Sequence, residues 1–197
     1  MAGKKQFDVG VALDAAMAQF WRAGHADTSV DDLSRATGLN RSSLYSSFGD
    51  KDALYLRCLD RYAARYGTRY DQALSRASEE PLQAVREFFE VTLQRIADPD
   101  VPDGCLVAQT AMSSPALSPA IAAWATEALG LQCARLRTAL TAAGLAEGDA
   151  DDFAVHLAAV NQSLAVMSRA GTSQKELRTV VDISMRALSH ALPARSR

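Results

Sequence analysis

The sequence predicts an all-α protein of about nine helices, with a three-helix N-terminal domain joined by one long helix to a helical bundle. Three observations predict this. No stretch alternates apolar and polar residues with the period of two that a half-buried strand needs. Apolar residues recur instead at three- and four-residue intervals from Val9 to Leu192. Glycines, prolines and capping residues then cut the pattern into runs of ordinary helix length. With 197 residues, 48% hydrophobic content and a net charge of −2, the chain suits a soluble globular protein with a real core. No run approaches a membrane span. The opening MAGKKQFDVG lacks the apolar centre of a secretory signal and reads as a short arm.

The first helix is expected over about Asp8 to Ala23. Val9, Leu13, Ala16, Met17 and Phe20 share one face, and Gly24 ends it. Ser29 caps the second helix, with Asp32 three residues on as the return partner of a capping box. Val30, Leu33 and Ala36 form its narrow apolar stripe. Gly38 closes it in the left-handed region, with Leu39 as the apolar follower. Asn40 caps a very short third helix that turns Leu44 and Phe48 inward and Arg41, Ser42, Ser43, Tyr45, Ser46 and Ser47 elsewhere. So short a helix buries too little apolar area to exist for stability alone. Two helices crossed by a tight turn, the second with small polar residues outward, have the build of a helix-turn-helix.

Asp50 caps a long helix, expected to about Ser78. Two rows run along it: Arg57, Arg61, Arg65, Arg69, and beside them Tyr62, Tyr66, Tyr70. Residues four apart stack on one face. The early arginines would flank a nucleic acid or form a solvated face, and the tyrosines would face the second half of the chain. Pro81 opens the next helix, with Leu82, Val85, Phe88, Phe89, Thr92, Leu93 and Ile96 inside. The stretch 97–104, with two prolines and three aspartates, is the clearest loop. A short helix to about Met112 follows, then a long one from Ser118-Pro119 to about Ala143. The last two run roughly 150–170, with Asp149 as cap, and 173–192. Phe153, Leu157, Val160, Leu164 and Met167 mark the seam of the first; Leu177, Val181, Ser184, Leu188 and Leu192 mark that of the second.

The first fifty or so residues resemble the DNA-binding segment of the TetR family of bacterial transcriptional regulators. The residues that carry this are Phe20, Gly24, Thr28-Ser29-Val30-Asp31-Asp32-Leu33, Gly38, Leu44-Tyr45, Phe48-Gly49, Lys51 and Leu54. Ser34 stands where the family usually has Ala, and Ser42 where many members have Gly. Gly104-Cys105-Leu106 resembles the middle of the ligand-binding half in a subset of the family. The resemblance implies a homodimer, paired through the last two helices, that binds palindromic double-stranded DNA and is released from it by a small-molecule effector. It divides the chain into a DNA-binding domain, 1–54, and an effector-binding and dimerisation domain, 55–197, with the connecting helix at about 51–78.

On DNA, Arg41 is expected to reach a guanine edge or a phosphate, and Tyr45 a phosphate or a thymine methyl. Ser42 and Ser43 contact DNA only if the helix inserts deeply. Thr28, Ser29 and Lys51 are expected to hold phosphates. An effector cavity is expected from Phe89, Gln109, Met112, Trp124, Asn161 and Met167. Residues 1–60 hold seven Lys/Arg (4, 5, 22, 35, 41, 51, 57) against eight Asp/Glu (8, 14, 27, 31, 32, 50, 52, 60). A basic footprint then requires Lys4, Lys5, Arg41 and Lys51 to gather on one side.

No nucleophile elbow, phosphate-binding glycine loop or HExxH motif is present, and Asp31-Asp32 and Asp151-Asp152 read as helix-start carboxylates. An enzyme is therefore not expected, nor a cofactor. The three cysteines (58, 105, 133) and three histidines (25, 156, 190) lack disulfide or metal spacing, which fits a reducing cytoplasm. Cys105 is a candidate sensor thiol. The alternative to a DNA-binding regulator is a helical module that binds protein through the same motif.

Overall fold

The computed structural model describes residues 7–193, so Lys4, Lys5 and the rest of the expected arm lie outside the described residues. Among the described residues there are nine α-helices and a three-residue 3₁₀ turn at Ser114–Ala116, and no strand. The head consists of α1 (Val9–Ala23), α2 (Val30–Thr37) and α3 (Arg41–Phe48). The spine is α4 (Lys51–Leu74), 24 residues and so ~36 Å long. The body comprises α5 (Pro81–Ala97), α6 (Leu106–Ser113), α7 (Pro119–Ala142), α8 (Glu147–Arg169) and α9 (Gln174–Ala191).

Two helix boundaries differ from expectation. α4 stops at Leu74, and residues 75–79 tighten into i→i+3 turns. Pro81 bars its predecessor from helical backbone, and Glu80 sits at φ −134°, ψ 66°. The Ser75 hydroxyl donates to the Gln72 carbonyl at 2.7 Å and seals the end. α8 begins at Glu147, one turn before the expected Asp149 cap, with Ala146 as N-cap. Glu147 and Asp149 both lie in its first turn, where the helix dipole favours carboxylates.

Each body helix is there to bury one face. α7 packs on α8, α8 on α9, and α5 on both α4 and α9. Phe88, Phe89, Ile121, Leu136, Leu157, Leu164, Leu177 and Leu188 are fully buried. The expected α8–α9 seams thus face inward, within one subunit. One apolar cluster runs from Ala12 in the head to Leu188 in α9. Complete burial of a Leu or Phe contributes ~1.5–3 kcal/mol.

Directed contacts fix the head to the body. Arg61 forms a two-point ion pair with Asp14 of α1, 2.8 and 2.6 Å, and Arg65 adds a third contact at 2.7 Å. Part of the arginine row therefore ties α4 to α1. Tyr55 Oη and Thr110 Oγ1 share a buried hydrogen bond of 2.7 Å. Trp21 Nε1 donates to the Asp103 carbonyl at 3.1 Å. Arg169, the last residue of α8, donates to the Arg22 carbonyl at 3.2 Å and to Gln109 Oε1 at 2.9 Å.

Candidate nucleic-acid interface

Local chemistry sets the α2–α3 angle. The Ser29 hydroxyl accepts from the Asp32 backbone N–H at 3.1 Å, and the Asp32 carboxylate accepts the Ser29 N–H at 2.9 Å. Gly38 closes α2 at φ 69°, where an L side chain is strained. Asn40 Oδ1 accepts from the Ser43 N–H at 2.8 Å and opens α3. Leu33, Leu44 and Phe48 are buried beneath. The opposite side of α3 is open: Arg41, Ser42, Tyr45 and Ser46 are exposed, Tyr45 at 51%, and Ser43 is half-buried. Ser46, not among the expected site residues, shares this exposed face one turn after Ser42.

Two expected phosphate ligands have partners inside the protein. Thr28 is fully buried, and its hydroxyl donates to the Gly24 carbonyl at 2.6 Å. Lys51 Nζ donates to the carbonyls of His25, 2.9 Å, and Thr28, 3.2 Å. Both side chains serve carbonyls of the α1–α2 turn, Gly24, His25 and Thr28, which follow the end of α1. Ser29 remains exposed with its hydroxyl committed to the capping box. Arg41 reaches back to Asp31, Nε to Oδ1 at 2.9 Å and Nη2 to Oδ2 at 2.7 Å. The hydrogen bonds from Arg41 hold the Asp31 carboxyl below its usual range.

His25 sits at the same turn, packed beside the rings of Phe20 and Tyr55. Its Nε2 lies 2.8 Å from Asp52 Oδ1 but off the line of a hydrogen bond. Burial, with the Lys51 charge, lowers its pKa below the ordinary value, against the pull of Asp52. The native state thus resists protonation more than the unfolded chain, whose His titrates near ~6.5. His25 contributes stability above that pH and loses it as pH falls through the native pKa. Thermal melts between pH 7.5 and 5 should show a falling midpoint, with a smaller fall in His25→Gln. An unchanged slope in that variant would remove His25 as the cause.

In the body, a cavity of about 70 Å³ opens between α4, α6, α7 and α8. Tyr62, Tyr66 and Tyr70 line one side, and Cys105, Gln132 and Gln162 the other. Tyr62 Oη donates to Cys105 Sγ at 3.3 Å, and Gln162 donates to Gln132 across α7 and α8. None of the six expected effector residues lines it. Phe89 is fully buried in the core, and Asn161 is buried with its Oδ1 unpartnered. Met167 packs on the core, and Trp124 Nε1 donates to Asp60 Oδ1 at 2.8 Å. Gln109 and Met112 line a separate outer cleft of about 280 Å³, shared with Cys105 and Arg169. The six expected residues do not all converge: Gln109 and Met112 share the outer cleft, and the other four lie outside it. Burial pushes the Cys58 thiol up to about 12, which makes it an inert core group.

The outer face of the last two helices carries an unpartnered apolar surface. Val155, Ala159 and Val166 follow one line on α8, and Ile183 and Ala187 one on α9, beside Val180, which packs partly on the core. Val155 is 59% exposed and Ile183 54%.

Residues 12–58 match the sequence profile described as bacterial regulatory proteins, tetR family. Residues 81–183 match that of the transcriptional regulator LmrA/YxaF-like C-terminal domain. The chain belongs to the TetR family. Curated relatives include the transcriptional repressor ComR of Escherichia coli K12, 34% identical over 103 residues, 52% of this chain and 49% of ComR. The regulator YezE of Bacillus subtilis is 28% identical over 112 residues, 57% of each chain. The chain thus spans about half the length of the curated relatives it matches. Among solved structures, the TetR-family regulator CifR, in a cysteine-substituted form with 26-base-pair operator DNA, is 29% identical with a TM-score of 0.79. That match covers 93% of this chain and 98% of CifR. A TetR protein of Rhodobacter sphaeroides, 20% identical with a TM-score of 0.81, covers 90% of this chain and 96% of its own; it shares the fold. In this TetR-family chain no helix among the described residues is long and apolar enough to cross a membrane, and no group of His, Cys, Asp and Glu there could hold a metal ion.

Proposed function

We propose that this protein is a homodimeric transcriptional repressor of the cytoplasm that binds a palindromic operator and leaves it when a small molecule binds the body. It is a regulator and not an enzyme. Residues 1–54 act as the DNA-binding domain, and 55–197 as the effector-binding and dimerisation domain. The observation that carries this is the exposed face of α3, Arg41, Ser42, Tyr45 and Ser46, on a helix-turn-helix whose inner residues are fully spent in packing. CifR, similar along nearly its whole length, is seen on operator DNA, and ComR is named a repressor. Arg41 reads a guanine edge or a phosphate, Tyr45 a phosphate or thymine methyl, and Ser42, Ser43 and Ser46 fit small groups against the groove. Ser29 presents the N-terminus of α2 to a phosphate.

Two heads must stand one turn of DNA apart, ~34–36 Å. The apolar stripes of α8 and α9 pair with their copies to set that distance. An effector that binds better to a wrongly spaced dimer withdraws it from DNA, and only by that differential affinity. The tyrosine-lined cavity supplies the site. Its small volume means that a ligand must spread α4 from α7 and α8, and α4 carries the head. Gln162 Oε1, buried there without a partner, is an acceptor for a ligand hydroxyl or amine.

Selection of duplexes from a random pool tests DNA binding, dyad symmetry and half-site spacing together. On a selected duplex, Arg41→Ala should weaken binding by about 10- to 100-fold, the loss of ~1–3 kcal/mol. Tyr45→Phe should weaken it several-fold, about one hydrogen bond. Wild-type affinity in both variants would place the contact face elsewhere.

A further inference from the structure

A DNA-reading head normally presents free cations to the phosphates. Here Arg35, Arg41, Lys51 and Arg57 each have an internal partner. Arg35 pairs with Asp32, Lys51 with two carbonyls, and Arg57 with the Ser47 carbonyl at 3.0 Å, its guanidinium over the Phe48 ring. Arg41 is the one of the four on the exposed face of α3, and its partner is a carboxylate. Asp31 and Arg41 lie on different helices and are 59% and 64% exposed. Asp32 is needed for the α2 cap. Asp31 has no capping hydrogen bond; its two side-chain oxygens are occupied by Arg41.

We propose that Asp31 is an internal stand-in for a DNA phosphate, an autoinhibitory contact that attenuates the affinity of the head by occupying Arg41. This rests on the DNA-binding reading above. A carboxylate offers a guanidinium the same planar two-point acceptor that a phosphate or a guanine edge does. DNA must therefore displace Asp31 before Arg41 contributes, and the stranded carboxylate then faces the phosphates. The exchange is inexpensive because the pair is exposed. It is nonetheless made twice per dimer. An effector releases a repressor only within its differential affinity, so attenuation keeps the DNA-bound state within reach of release.

A double-mutant cycle tests this, with fluorescence anisotropy on a mixed-sequence duplex long enough for two half-sites, over a salt series. Asp31→Asn should tighten binding by about tenfold, threefold for each head. In an Arg41→Gln background the same substitution should give less than half of that gain. Asp31→Ser, which keeps a polar residue in the first turn of α2, should reproduce Asp31→Asn, and circular dichroism melts should show both folded. Weaker or unchanged binding in both variants would overturn the proposal and leave Asp31 as a residue that orients Arg41. An undiminished gain without Arg41 would also overturn it, leaving only charge repulsion. Silence of wild type and variants alike, on this duplex and on a selected pool, would bring down the DNA-binding reading itself.

Discussion

Charging the outer faces of the last two helices, with Val155→Glu and Ile183→Glu together, is expected to give a folded monomer that binds operator at least about 100-fold more weakly. The fold should tolerate both changes. Each side chain is more than half exposed, and substitutions at such positions usually move stability by ~0.5 kcal/mol or less. The inward faces are independent of them, since Leu157, Leu164, Leu177 and Leu188 already fill the subunit core. In a two-fold dimer every residue of the face appears twice, so two substitutions place four carboxylates in one apolar interface. Burying unpaired charges there costs more than the interface can return. The loss on DNA follows without any change in the reading head, because the second head no longer binds as an intramolecular event. Sedimentation measures the mass, and a binding titration the affinity. A dimer of wild-type affinity would assign assembly to another surface.

The head was legible because its signals are local. Ser29, Asp32, Gly38 and Asn40 act on backbone groups within three residues, so the sequence order is the structure. Lys51 belongs to an interaction that crosses the chain, whereas Thr28 turns back on the carbonyl four residues before it. Thr28 and Lys51 are polar and sit beside the motif, so each invites a phosphate. Their partners are carbonyls of the α1–α2 turn, and that of Lys51 is 26 positions away, where no periodicity marks it. The cavity has the same character. It takes side chains from four helices, and on α8 it selects Gln162 and not Asn161. Adjacent residues on a helix point ~100° apart, so an error of one position moves a side chain from cavity to core. The two faces of α8 show a further limit. Leu157 and Leu164 announce the inner seam, whereas the outer stripe of Val155, Ala159 and Val166 is built from smaller residues that read as background. Its meaning emerges only once the larger face is seen to be occupied.

Arg95→Ala is expected to lower stability by about 2–4 kcal/mol, while Arg95→Met stays near wild type. Arg95 is 3% exposed. Among the described residues no carboxylate pairs with it. It donates one hydrogen bond to the Gly104 carbonyl, and its Nε has no partner. Its guanidinium lies 5.8 Å from the Trp21 ring centroid and 5.5 Å from that of Tyr66. A buried cation costs several kcal/mol in lost hydration, and two aromatic faces return ~2 kcal/mol or more. The charge is thus close to neutral for stability, and the stem and its packing supply the gain. Alanine removes the stem, opens a void beneath Trp21 and leaves a buried carbonyl unmet. Methionine leaves the same carbonyl unmet, but it refills the volume and drops the cost of the buried charge, which offsets that loss. With ~2–4 °C per kcal/mol for a chain of this size, thermal melts resolve the two. Equal destabilisation by both variants would show instead that the cation is what holds this site. The position gives the difference a functional reading. Trp21 lies in the last turn of α1, Gly104 just before α6, and Arg95 in the last turn of α5, so one side chain bridges head, cavity wall and body. Arg95→Met keeps the fill and removes the bridge. Amide exchange at 21–24 and 104–106 should therefore quicken in that variant even where the melting temperature is unmoved, because a local opening needs far less free energy than global unfolding.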